Sequence, residues 1–257
     1  MASNDSIKKT LTVAVTLCVV CSVIVSTAAV MLRPMQQENK ALDFKRNILI
    51  AANLMEEGKS VDELFEKVET RLVDLRTGKF SDDLNTDSYD QRKAIKNPEL
   101  SQSLSAEDDV AGLSRRENYA MVYIVRGGSG IEKIVLPIRG YGLWSTLWGF
   151  IALEDDFNTV VGLGYYEHGE TPGLGGEVDN PKWKSIWEGK TVYNNQGDVA
   201  LAVVKGAVDP SSSGSEYKVD GLSGATLTSD GVTNMIHFWL GENGYATFLE
   251  NLKNGEA

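Results

Sequence analysis

The rhythm of apolar positions changes along this chain, and each rhythm predicts a different element. From Thr10 to Leu32, 23 residues run without charge or proline. At about 1.5 Å rise per residue a helix of that length reaches about 34 Å, enough to cross a hydrocarbon core of about 30 Å. A cleavable signal peptide competes, because Ser26-Thr27-Ala28-Ala29 is small enough for a cleavage site. Secretory apolar regions, however, usually run about 7–15 residues. The reading adopted is therefore a transmembrane helix over 10–32 preceded by a short segment, 1–9. Beyond it, Leu42, Ile48, Leu49, Ala52 and Met55 recur at helical spacing and Gly58 closes the pattern. Ser60-Val61-Asp62-Glu63 has capping-box spacing. Val61, Leu64, Phe65, Val68, Leu72 and Leu75 continue as a stripe that predicts a second helix ending near Gly78.

Residues 81–116 turn polar and acidic, the pattern of an irregular surface segment with short helical pieces. Strand patterns follow. Tyr119–Val125 and Lys133–Ile138 flank Gly127-Gly128-Ser129-Gly130 as a hairpin, and Leu147–Leu153 and Val160–Tyr166 pair around Asp155-Asp156. Val199–Lys205 reads as a further strand and Pro181–Trp187 as a short helix. A closing helix is expected from Ser229 or Asp230 to Leu240, with a last turn or two over Gly244–Leu252. The fold class expected is α+β with a mostly antiparallel sheet: a helical and irregular membrane-proximal part over 33–118 and an α+β core over 119–257.

Composition narrows the chemistry. With 25 Lys+Arg against 36 Asp+Glu in 257 residues the net charge is −11, which argues against nucleic acid as a partner. Cys18 and Cys21 both lie in the apolar run, so a disulfide framework, Cys-ligated zinc and a cysteine nucleophile are excluded from the rest. His168 and His237 are the only histidines, too few for a His-rich metal cage, and no metal site is expected. Lys8 and Lys9 precede the span while Arg33, Lys40, Lys45 and Arg46 follow it, so charge alone does not orient it.

Generic nucleotide motifs fail on inspection. Gly173-Leu174-Gly175-Gly176-Glu177-Val178 has Val where the dinucleotide fingerprint needs its third glycine. Gly189-Lys190-Thr191 lacks the first glycine of a P-loop, and the GxSxG elbow of serine hydrolases is absent. Two glycine- and hydroxyl-rich segments remain, His168–Gly176 and Asp220–Thr228. The second lies directly before a helix, where free backbone N–H groups favour a phosphate and small residues admit a flat ligand. Spacing alone equally allows two surface loops with turn glycines.

Asp220-x-x-Ser223-Gly224-Ala225-Thr226 resembles the flavinylation motif of bacterial FMN-binding domains, and Glu170-Thr171-Pro172-Gly173-Leu174-Gly175 resembles the loop beside the flavin in the same family. With Gly142–Gly149 and the anchor, the chain is similar along nearly its whole length to the NqrC family, a component of the bacterial Na⁺-translocating NADH:quinone oxidoreductase. The RnfG family of the Rnf electron-transport complex shares the anchor and both loops, and is the alternative.

The resemblance implies a single-pass inner-membrane protein whose main domain is periplasmic. That domain would carry one covalent FMN and relay electrons between other membrane subunits of the complex, with a flavin transferase for maturation and the lipid bilayer as further partners. It implies a phosphoester at Thr226, with Ser223, Gly224, Ala225, Leu227 and Thr228 around the phosphate. Thr228 would hold the phosphate or cap the helix. Thr171, Pro172, Gly173, Leu174 and Gly175 would shape the pocket, Pro172 by stiffening it and Gly173 by close backbone approach. Glu170 would bond the flavin or stand as a solvated loop carboxylate. Trp144, beside Ser145, would pack on the flavin or fill the core, Trp148 less so, and Lys205 would supply a counter-charge. No group in the chain is expected to act as a catalytic acid or nucleophile. An anchored periplasmic binding or assembly module without redox work is the reading from another class, and visible absorbance separates the two.

Overall fold

The structure, a computed structural model, describes residues 6–128 and 130–257. Most of the segment before the anchor, and Ser129 of the predicted hairpin turn, lie outside the described residues. Two compact units are present, one up to Asp43 and one from Phe44 to Ala257. The first is the leading part of helix α1 (Ile7–Ala51), which contains Pro34 and exposes Leu11, Val19, Ile24 and Val25. Such an apolar, unpacked surface suits lipid as its solvent. The two helices expected over 10–32 and 39–55 are thus one continuous helix, which carries on through Pro34 because the rest of the stretch between them, Met35-Gln36-Gln37-Glu38, consists of good helix formers.

In the second unit, α2 (Val61–Phe65) is capped by Ser60 Oγ accepting the Glu63 N–H at 3.2 Å. The chain then enters β1 (Val68–Asp74) and β2 (Lys79–Ser81), in place of the long helix to Leu75 that the apolar stripe predicts. The 3–4 stripe misleads because β1 buries residues on both faces, Val68 on one and Val73 on the other. Its pairing with β5 along Val68↔Val125 to Asp74↔Tyr119 decides the conformation. Next come α3 (Gln91–Lys96), β3 (Ser101–Ser103) and β4 (Arg115–Glu117), short pieces within the polar segment as expected.

The long strands follow: β5 (Tyr119–Gly127), β6 (Gly130–Tyr141), β7 (Thr146–Glu154) and β8 (Val160–Glu167). With β1 and β2 they form a six-stranded sheet, ordered β2-β1-β5-β6-β7-β8, in which every neighbouring pair is antiparallel. A 3₁₀ turn (Gly175–Asp179), α4 (Pro181–Ser185), β9 (Ala202–Val203) and β10 (Lys218–Val219) lead to α5 (Thr226–Leu240) and α6 (Ala246–Asn254). Only Ala202–Val203 of the strand expected over 199–205 is extended in a sheet, paired in parallel with β10.

Both faces of the sheet are covered. On one, Phe44, Ile48 and Leu49 of α1 and Leu64 of α2 pack on Tyr123, Val135 and Phe150, with Phe44 set edge-on to Phe150 at 5.0 Å. On the other, Val232, Met235, Ile236 and Trp239 of α5 pack on Ala120, Leu136 and Ile138. Helix α5 lies against the end of β6 at backbone distance. A Cβ on Gly231 would stand 2.5 Å from the Tyr141 carbonyl oxygen, and one on Gly140 would stand 2.7 Å from Met235 Cβ. That close approach brings the start of α5 beside the β6–β7 connection.

Candidate functional site

Three loops converge there: 142–145 between β6 and β7, 168–176 after β8, and 220–225 before α5. Glu170 joins them. Its Oε1 accepts the backbone N–H groups of Leu143, Trp144 and Ser145 at 3.1, 2.9 and 3.3 Å, and its Oε2 accepts the Thr228 hydroxyl at 2.7 Å. Burial pushes this carboxyl up, but the bonds from Trp144, Thr228, Leu143 and Ser145 outweigh that and hold its pKa below the ordinary carboxylate value. Glu170 is buried rather than a solvated loop carboxylate. Ser145 Oγ accepts the Gly169 N–H at 2.6 Å, tying two of the loops a second time, and within the 168–176 loop His168 Nδ1 accepts the Glu170 N–H at 3.2 Å.

Helix α5 begins at Thr226, ahead of the start expected at Ser229 or Asp230, with Ala225 at the N-cap and no side-chain cap. Ser229 does not cap it. Its hydroxyl donates to the Ala225 carbonyl at 3.1 Å and accepts the Leu222 N–H at 3.1 Å, holding the preceding loop against the first turn. The opening N–H groups of the helix, which have no intrahelical acceptor, form a site suited to an anion. The two candidate hydroxyls differ sharply: Thr226 is exposed, whereas Thr228 is fully buried and committed to Glu170.

Thr226 opens on a cavity of about 390 Å³ lined also by Lys205, Asp220, Leu222, Ser223 and Gly224. Asp220 shapes that cavity from within. Its Oδ1 accepts the Val208 N–H at 2.8 Å and its carbonyl accepts the Trp183 indole N–H at 2.8 Å.

Several apolar side chains on and beside the three loops are exposed. Trp144 is 66% and Leu227 60% exposed, and Tyr141, Leu143 and Leu174 are exposed with them. Thr171, Pro172 and Gly173 are also exposed, while Gly175 and Ala225 are buried beneath. Trp144 therefore does not fill the core. Trp148 turns elsewhere, with the Arg92 guanidinium over its ring at 4.2 Å. Gly173 is a glycine for its backbone, at φ +76° with open space around it; the close-approach glycine is Gly175. A Cβ on Gly175 would stand 2.5 Å from Thr228 Oγ1 and 2.7 Å from Glu170 Oε2.

Sequence reasoning gave no role to Tyr141 or Gly231, used Gly142 only as part of the family resemblance, and took Ser229 for a helix cap. The glycine pair is needed where α5 meets the β6–β7 loop, a contact between segments too distant in sequence for any local pattern to reveal.

The fold and the three loops define a flavin-mononucleotide-binding domain: a family model described as "FMN-binding domain" matches residues 142–241, from the Trp144 loop through the end of α5. The chain is 53% identical over 261 residues to the NqrC component of the Na⁺-translocating NADH-quinone reductase of Pseudomonas aeruginosa, covering 100% of both chains. It is 52% identical over 256 residues to the same component from Vibrio vulnificus, covering 99% of each. This chain belongs to the NqrC family of the Na⁺-translocating NADH-quinone reductase. In fold it matches the crystal structure of Shewanella oneidensis NqrC with a TM-score of 0.77 at 39% identity, over 84% of this chain and 99% of that one. The expected α+β class, with an N-terminal apolar helix and a mostly antiparallel sheet, is that of the structure.

Proposed function

We propose that this chain is the anchored flavoprotein component of a Na⁺-translocating NADH:quinone reductase, carrying FMN through a phosphoester at Thr226 Oγ1. In that role it relays electrons between other membrane subunits and is not a complete enzyme alone. The observation that carries the reading is the exposed Thr226 hydroxyl at the uncapped start of the 15-residue helix α5, on a cavity shared with Lys205. The residues fit the group. The helix N-terminus and the Lys205 ammonium complement a phosphate, and Ser223 and Gly224 leave room for it. Trp144, Leu143, Leu174 and Leu227 supply an apolar rim for a flat ring system, with Thr171, Pro172 and Gly175 completing that wall. When bound, FMN supplies reversible one- and two-electron chemistry.

The chain's own residues hold and shield. Thr226 tethers, so that a cofactor is retained in an extracytoplasmic compartment. The rim limits water, and Thr228, Glu170 and Gly175 form the floor. Helix α1 anchors the domain in the inner membrane, with the domain on the periplasmic side and a flavin transferase acting there. The curated relatives support the NqrC reading over the RnfG one.

The test is the mass of the purified chain made alongside the transferase. Wild type exceeds its sequence mass by FMN minus water and fluoresces in a denaturing gel. Thr226→Ala keeps a small side chain at an exposed position, folds, and shows neither signal. Covalent flavin on Thr226→Ala moves the ester to Ser223 or Thr228 and overturns the assignment. Colourless wild-type protein overturns the flavoprotein reading in favour of a module without redox work.

A further inference from the structure

We propose that Glu170 is a positioning residue: its buried carboxylate pins the 142–145 loop to the first turn of α5 and so sets where Trp144 stands relative to Thr226. Trp144 is 66% exposed, so side-chain packing does not place it. Its backbone is placed instead, by three consecutive N–H groups aimed at one carboxylate oxygen. The loop closes on itself by only one further backbone bond, from the Gly142 N–H to the Ser145 carbonyl at 2.9 Å.

The second oxygen reaches the other side of the site. Thr228 is fully buried, belongs to α5 and lies 58 positions away, so the carboxylate is a bridge between segments and not a local turn device. Space has been cleared for it on two sides. A Cβ on Gly142 would stand 2.6 Å from Oε1, and a Cβ on Gly175 would stand 2.7 Å from Oε2, and neither glycine has a left-handed φ that would otherwise require it. The Glu170 carboxylate occupies the volume a side chain at 142 would take, and the carboxylate together with the Thr228 hydroxyl, 2.5 Å from a Cβ there, occupies that of a side chain at 175. Since Glu170 faces inward with both oxygens engaged by the protein, it acts on the rim through Trp144 and Thr228 and not by touching a ligand.

The proposal has one arm that is independent of the flavin and one that rests on the FMN reading above. In the full-length chain in detergent, hydrogen exchange is followed at the amides of 143–145 and, as an internal control, at the strands β6 and β7. Each of these amides bonds a charged acceptor, so Glu170→Ala speeds their exchange by about tenfold or more while the strands keep their protection. Glu170→Gln, which retains one acceptor oxygen, restores most of the protection. In protein loaded with FMN, the visible flavin band shifts in Glu170→Ala and returns towards wild type in Glu170→Gln, a change that loss of stability alone does not produce.

Unchanged exchange at 143–145 in Glu170→Ala overturns the proposal. So does an unchanged flavin band in a variant that has lost the protection, because the carboxylate is then structural only. If Glu170→Ala does not fold, Thr228→Ala is read by the same measurements: faster exchange and a shifted band support the bridge, and wild-type behaviour overturns it. Wild-type chain without covalent FMN removes the cofactor reading and leaves the exchange arm standing.

Discussion

Leu174 leans on Gly224: its Cδ2 lies 3.1 Å from where a Cβ on Gly224 would stand, and Gly224 itself is at φ +71°. The two motifs that frame the site therefore touch, and a side chain at 224 is opposed twice, by the left-handed backbone and by Leu174. Gly224→Ala should cost about 1–3 kcal/mol, mostly as backbone strain. It should also lower covalent FMN content by displacing the loop from Thr226. Adding Leu174→Ala relieves the contact but not the φ, so the double variant recovers flavin incorporation more than stability. Thermal melts and in-gel fluorescence of the three proteins check this, and equal incorporation in Gly224→Ala and wild type refutes it.

Two glycines of the 170–175 loop separate backbone need from space. Gly173 has φ +76° with nothing near a Cβ, so Gly173→Asn, a residue that tolerates left-handed backbone, should be nearly neutral while Gly173→Val is strained. Gly175→Ala pushes into the Thr228–Glu170 bond and should cost about 1–3 kcal/mol by overpacking. The measurement is denaturant unfolding together with acrylamide quenching of tryptophan fluorescence. Trp144 should become more quenchable in Gly175→Ala than in Gly173→Asn, and the reverse order rules out the assignment of roles.

Much of the site was legible because its chemistry is local. Ser223-Gly224-Ala225-Thr226 and Glu170–Gly175 are contiguous motifs, and the strands from Tyr119 to Tyr166 carry their own turn residues. The failures were of longer range. Val68–Asp74 presented a helical stripe until pairing with Tyr119–Val125 overrode it. The true start of α5 was hidden because Ser229, a natural N-cap residue, bonds back to Ala225 from inside the first turn. The part played by Glu170 was invisible for a similar reason, since its partners sit 25 to 27 positions earlier and 58 later.

The polar segment 81–116 supplies bonds, from Gln91 and Arg115, to the most deeply buried ion pair among the described residues, which Arg139 forms with Glu117. Arg139 Nη2 meets Glu117 Oε2 at 2.6 Å and the Arg115 carbonyl at 2.8 Å, and the Gln91 amide donates to the other Glu117 oxygen. Glu117→Ala leaves the Arg139 guanidinium buried without its counter-charge and should cost about 3–5 kcal/mol. Replacing both residues by apolar ones of similar volume should cost less. Chemical denaturation of the single and double variants decides it, and a loss under about 1 kcal/mol for Glu117→Ala defeats the prediction.

Orientation is testable without the flavin. Alkaline phosphatase joined after Ala257 should be active and a fluorescent reporter that matures only in the cytoplasm should stay dark, because the chain from about Arg33 onward is proposed to be periplasmic. The opposite pair of results overturns the topology. Since lysines and arginines stand on both sides of the span, removing Lys8 and Lys9 should weaken the orientation and raise the fraction of inverted chains.

The Glu170 carboxyl also predicts how the site responds to acid. Its folded pKa lies below the ordinary value, as burial is outweighed by the bonds it accepts from Trp144, Thr228, Leu143 and Ser145. A depressed carboxylate contributes stability that is fully present above the unfolded pKa of about 4.3 and is lost as pH falls through the lower folded value. The unfolding midpoint of wild type should therefore drop below about pH 4. Glu69, Asp74, Asp90 and Asp156 are depressed as well and act in the same direction. The informative quantity is consequently the difference between wild type and Glu170→Gln, in which those four groups cancel. That difference should favour wild type near neutrality and shrink as the carboxylate is protonated, with exchange at 143–145 rising over the same range. A difference that stays constant from pH 7 to about pH 3 means that the Glu170 charge contributes nothing to holding the loop.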